Sequence, residues 1–96
     1  MAKGYWIARV DVTDPDAYKN YVAANAKAFG KYGARFIVRG GEFECVEGAA
    51  RQRNVVIEFP SYQAALDCYR SPEYQAARAH RLDAGIATIT LVEGVD

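Results

Sequence analysis

Residues 4–12, GYWIARVDV, alternate with the two-residue period of a β-strand, and neither face of that strand suits open water. One parity carries Trp6, Ala8, Val10 and Val12 and is wholly apolar. The other carries Tyr5, Ile7, Arg9 and Asp11, half of it apolar and half charged. A sheet face left in solvent shows polar residues at nearly every outward position. This strand needs cover on both sides, and that requirement constrains every fold the chain can adopt.

The rest of the chain is clearly punctuated. Asp14 is placed to cap a helix that starts at Pro15, where a missing N–H costs nothing, and Gly33 is placed to end it in a left-handed turn. Between them Tyr18, Val22, Asn25, Phe29 and Tyr32 recur at steps of three and four, which predicts one core-facing stripe. ARFIVRGGEFECVEG then alternates through Phe36 and Val38, breaks at Gly40 and Gly41, and resumes through Phe43 and Cys45, predicting one long strand bent by a bulge at the glycine pair. After a turn at GAARQ, RNVVIEF reads as its hairpin partner, stopped by Pro60. Ser61 caps a short helix with Tyr62, Ala65, Leu66 and Tyr69 on one face, and Ser71 and Pro72 start another through Tyr74, Ala77 and Leu82. A final strand, IATITLVEG, follows Gly85.

Strand, helix, strand, strand, helix, strand is the split βαβ order, so the predicted class is α+β: a ferredoxin-like four-stranded antiparallel sheet with its helices on one face, over residues 1–96 as a single domain. The helix side is expected to take Trp6, Ala8, Val10, Phe36, Val38, Val55, Ile57 and Phe59. Tyr5, Ile7, Arg9, Ile37, Arg39, Asn54, Val56 and Glu58 are left facing away. With no spare element to shelter Ile7, Ile37 and Val56, the economical cover is a second copy of the chain, packed sheet to sheet over an area on the order of 2,000 Å².

Charge and cysteine usage narrow the function classes. Twelve basic residues balance twelve acidic ones, which argues against a nucleic-acid partner or an anionic membrane surface. No apolar run approaches the ~18–20 residues of a membrane span, and MAKGYWIARV enters a strand directly without a leader's apolar region, so the expected compartment is cytoplasmic. Cys45 and Cys68 lie in no metal-ligand spacing and are read as free, small buried hydrophobes. No dinucleotide, P-loop, zinc-protease or nucleophile-elbow motif occurs, so neither a metal nor a cofactor is expected.

The charges on the hidden face are the candidate site. Arg9, Arg39 and Glu58, with Tyr5 and Asn54, sit where ions are costly unless paired or kept for a ligand. They read either as an anion-binding site, an arginine gripping the ligand in bidentate fashion with Tyr5 or Glu58 exchanging a proton, or as a structural ion-pair network balanced by Asp11. His80, the one histidine, falls near the end of the last helix, outside a sheet-lined interior, and the tyrosines fall on core stripes.

GYWIARVDVTDP, YGARFIVRGG, CYRSPEYQ and RNVVIEFPS together resemble the bacterial family named domain of unknown function 1330, over Ala2 to Gly94. The resemblance implies a dimeric α/β-barrel, in which two such sheets enclose a shared interior. The wider superfamily includes cofactor-free monooxygenases of aromatic polyketides, lactone isomerases and haem-binding enzymes. The family has no agreed catalytic motif, so no functional residue carries over by position. The expectation is a homodimer that binds a small anionic or aromatic metabolite inside the barrel. The alternatives are a cofactor-independent monooxygenase or isomerase, or a purely structural dimer with a filled interior.

Overall fold

A computed structural model describes residues 2–96. Its elements run β1 (Gly4–Val12), α1 (Pro15–Lys31), β2 (Arg35–Arg39), β3 (Arg53–Phe59), α2 (Tyr62–Arg70), α3 (Pro72–Arg81) and β4 (Gly85–Glu93). The strands form one antiparallel sheet in the order β2-β3-β1-β4, the ferredoxin-like arrangement that the element order predicts.

The helix ends follow the sequence punctuation. The Asp14 carboxylate accepts the Ala17 N–H at 3.2 Å and Pro15 fills the first turn of α1. Gly33, at φ +71°, turns the chain out of α1 in the left-handed region. The Ser61 hydroxyl accepts the Ala64 N–H, and Ser71 serves twice: its hydroxyl donates to the Cys68 carbonyl at 2.7 Å and accepts the Tyr74 N–H at 3.1 Å. One buried serine therefore closes α2 and opens α3, which fixes the bend between them.

Trp6 is the centre of the core. It is 1 % exposed, meets Phe29, Tyr69 and Tyr74 edge-on and Phe59 at a tilt, and donates its indole N–H to the Ala65 carbonyl at 2.9 Å. Ala8, Val10, Val55, Ile57 and Phe59 join it from the sheet, and Tyr18, Tyr21, Ala28 and Phe29 from α1. Below it lies a polar seam: the Tyr21 and Tyr74 hydroxyls bond at 2.8 Å, and Arg81, 6 % exposed, reaches Tyr74 Oη at 3.4 Å. Leu82, expected on the α3 stripe, is exposed instead. The helix ends one residue earlier and Arg81 takes the inward position, its guanidinium 5.2 Å from the centre of the Tyr21 ring.

Two expectations about β2 fail. The strand does not resume through Phe43 and Cys45; it ends at Arg39, and residues 40–52 form a loop. Gly40, at φ +65°, turns the chain away after a last backbone bond from its N–H to the Asn54 carbonyl. The bulge also lies earlier than the glycine pair, between Phe36 and Val38, where Ile37 and Val38 together oppose Val56. An extra residue reverses the parity of everything after it. Val38 accordingly joins the face away from the helices, and Arg39, opposite the buried Val55, joins the helix face.

Candidate functional site

The face turned away from the helices is organised by its register. Arg9 lies between Asn54 of β3 and Thr88 of β4, Ile7 between Val56 and Thr90, and Tyr5 between Glu58 and Val92. Four of the five sequence candidates, Tyr5, Arg9, Asn54 and Glu58, thus share one face. Arg39 does not: the bulge carries it to the other side, where its guanidinium stacks over the Phe36 ring at 4.1 Å.

The two ends of this face differ in chemistry. At one end Glu58 is fully engaged, with Lys3 Nζ at 3.4 Å, Arg35 Nη2 at 3.5 Å and the Tyr5 hydroxyl donating at 3.5 Å. These contacts form an ion-pair network, and its cations are Lys3 and Arg35 rather than Arg9 and Arg39. At the other end Arg9 has neither an ion pair nor a hydrogen bond among the described residues, and its side chain is exposed. Asp11, the acid expected to balance it, is taken elsewhere. Its carboxylate accepts the Gln52 N–H at 2.9 Å and Arg51 Nη1 at 2.9 Å. The Gln52 N–H is the main cause that holds the Asp11 carboxyl below its usual range, with Arg51 adding to it and burial opposing.

These bonds fold the 40–52 loop back across the sheet, and Arg51 Nε also donates to Thr88 Oγ1 at 3.3 Å. Between loop and sheet runs a cleft of about 290 Å³ with Arg9 and Asn54 on its floor and Phe43, Cys45, Val46 and Ala49 above. Glu44 and Glu47 stand on the same loop, neither within ion-pair distance of Arg9. Cys45, expected to be buried, is exposed here because its segment is loop; its thiol faces the Glu47 and Gly48 carbonyls. Cys68 is buried as expected, and burial, with a smaller effect of Glu73, pushes its thiol up to about 12. His80 is exposed near the end of α3. Among the described residues no cluster of three or more His, Cys, Asp or Glu is arranged to hold a metal, and no helix is long and apolar enough to cross a membrane.

The family described as a domain of unknown function (DUF1330) matches residues 3–95. The chain belongs to the DUF1330 family. The curated proteins contain no significant match to it. Among solved structures this DUF1330 chain is similar to a protein of unknown function from Rhodopseudomonas palustris, with 19 % identity and a TM-score of 0.75 over 99 % of this chain and 84 % of that one. It is also similar to SnoaB, a cofactor-independent oxygenase from Streptomyces nogalater, with 12 % identity and a TM-score of 0.66 over 100 % and 96 % of the two chains. A dimeric ferredoxin-like protein of unknown function from Thermobifida fusca matches with 16 % identity and a TM-score of 0.59 over 95 % and 92 %. At these identities the likeness is one of fold.

Proposed function

We propose that this DUF1330 protein is a homodimer whose two sheets pack face to face, and that a small anionic or aromatic metabolite binds in the enclosed space against Arg9. The observation that carries the reading is Arg9 itself, an unpaired guanidinium on a face that otherwise exposes several apolar side chains. Ile7, Ile37, Val38, Ile86 and Val92 are each between 37 % and 57 % exposed in the single chain. Val56 lies among them, midway between Ile7 and the bulge. A face of this kind is a natural interface, and the dimeric T. fusca neighbour supports it. Once a second sheet excludes water, an unpaired arginine costs several kcal/mol unless an anion satisfies it.

In this reading Arg9 grips the anion in bidentate fashion, Asn54 adds a neutral hydrogen bond, and the loop bearing Phe43 and Ala49 covers the apolar body. Tyr5 and Glu58 line the far end of the same interior. Glu58 is the acid best placed to accept a proton, yet Lys3, Arg35 and Tyr5 already engage it, which favours binding over turnover. The test is a thermal-shift series with small aromatic and aliphatic carboxylates beside their uncharged amides, on the wild type and on Arg9→Met. Carboxylates that stabilise the wild type, with amides and the variant giving no response, support the site. Equal shifts in both proteins remove it.

A further inference from the structure

The two edges of the sheet are built differently. β2, at one edge, is five residues long, carries Arg35 and Arg39 and is broken by the bulge between Phe36 and Val38, all of which keep a foreign strand from pairing. β4, at the other edge, has none of these defences. Its nine residues hold one unbroken register with β1, and from Gly85 to Val92 they include neither a charge nor a proline. A long, uncharged edge of this kind is a template for another strand.

The ladder shows which backbone groups are on offer. At one end of β4 the Gly94 N–H donates to the Lys3 carbonyl at 2.7 Å, and at the other the Thr13 N–H donates to the Ala84 carbonyl at 2.9 Å. Backbone groups alternate sides along an antiparallel strand, so the even-numbered residues face β1, and Gly85, Ala87, Ile89, Leu91 and Glu93 turn N–H and C=O outward. Ile89 is the midpoint of Gly85–Glu93. A twofold axis at an outward-facing midpoint pairs the whole strand with its own copy, Ile89 against the partner's Ile89, through about ten backbone bonds.

The side chains match in that register. IATITLV reads alike in chemical class from either end. On the open face Ile86 meets the partner's Val92 and Thr88 meets the partner's Thr90, while on the helix face Ala87 meets the partner's Leu91. Thr88 Oγ1 accepts from Arg51 Nε at 3.3 Å, which leaves its own O–H to donate across the axis. Glu93 opposes the partner's Gly85, so the two carboxylates stand at opposite ends of the ladder. A foreign peptide would gain the backbone bonds without these matched side chains, and that selects a second copy of the chain.

We infer that the outer edge of β4 docks the β4 of a second copy, antiparallel about Ile89, joining the two sheets into one. A sheet stacked over the open face lies about 10 Å away and makes no ladder bonds, so edge pairing depends neither on Arg9 nor on its cover. The contact is smaller than the about 1,000 Å² of a stable interface. It therefore forms at concentrations on the order of hundreds of micromolar and leaves micromolar solution to the face-to-face pair.

The test uses the full chain carrying Ile7→Glu, which removes the sheet-on-sheet contact, and follows backbone amide exchange by NMR from about 20 µM to about 1 mM. The Ala87, Ile89 and Leu91 N–H groups should slow about threefold or more over that range as the open fraction falls. Thr88 and Thr90, bonded to β1, should stay protected throughout. Adding Ala87→Pro, which deletes an outward N–H and no bond to β1, should abolish the concentration dependence at Ile89 and Leu91 with Thr88 and Thr90 still protected. In the Ile7→Glu background with the exposed Cys45 changed to Ser, a mixture of Thr88→Cys and Thr90→Cys proteins should form disulfide-linked pairs several times faster than either protein alone, because only the mixture sets thiols opposite one another. Concentration-independent exchange at the three outward amides, or Thr88→Cys alone cross-linking as fast as the mixture, would overturn edge pairing. A wild type that dimerises through its open face while the Ile7→Glu protein shows neither effect would leave the Arg9 site standing and still overturn this contact.

Discussion

The Tyr21 and Tyr74 hydroxyls lie 2.8 Å apart beneath the core, each the other's partner, with Arg81 as the nearby cation. Removing one leaves the other buried with its main partner gone, and such a group costs about 1–3 kcal/mol. Tyr74→Phe and Tyr21→Phe should each lower stability by about 1–2 kcal/mol. The double variant should cost clearly less than their sum, because it removes both members of the pair. Urea denaturation of the four proteins measures the cycle; strict additivity would show that the hydroxyls do not act together.

The exposed face gives a prediction about assembly. Ile7 stands at its centre between Val56 and Thr90, 37 % exposed in the lone chain. If a second sheet packs there, Ile7→Glu buries a carboxylate from each subunit in the interface and should split the dimer, while the helix-side core is untouched. Light scattering should return twice the 10.6 kDa chain mass for the wild type and a folded monomer for the variant. A monomeric wild type at micromolar concentration would remove the barrel and the site within it.

Sequence pattern and folded register part at one residue, Ile37. Helix caps, strand order and the parity of β1 and β3 were legible, because Asp14, Pro15, Ser61 and Ser71 act through local bonds and period-two patterning is strict in unbroken strands. The bulge was not, because RFIVR carries no glycine or other mark of an extra residue. The visible glycine pair does mark a turn, at Gly40. That single slip moved Val38 and Arg39 across the sheet. Arg53, by contrast, shares parity with Val55, Ile57 and Phe59 and was readable as a helix-side cation. The Arg51–Asp11 tether, 40 positions apart, follows from how the loop folds back and leaves no local signal.

The two cysteines should separate cleanly by reactivity. Cys45 is exposed on the loop, and Cys68 is 0 % exposed with its thiol pushed up by burial. At pH 8 a thiol reagent should titrate one cysteine in the native protein and the second only in denaturant. The raised value also sets a sign: the stability it contributes is fully present below the ordinary 9.0 and is lost as pH rises through about 12. Thermal stability should therefore fall along that alkaline limb, less steeply in Cys68→Ala.

Asp11 makes an acid-side prediction that reports on the cleft. Its folded value is depressed, first by the Gln52 N–H and then by Arg51 against the opposing effect of burial, so the tether is fully present above the ordinary value of 3.8 and fades as pH falls through the lower folded one. The group is solvent-accessible, so its loss should free the loop without unfolding the sheet. Hydrogen exchange at the Gln52 N–H should be protected at pH 6 and lose protection as Asp11 protonates. Asp11→Asn should reproduce part of that loss at pH 6, since an amide oxygen still accepts from Gln52 but no longer pairs with Arg51. The same variant should weaken any carboxylate held at Arg9, because Arg51 and the chain around Ala49 would no longer be pinned over it.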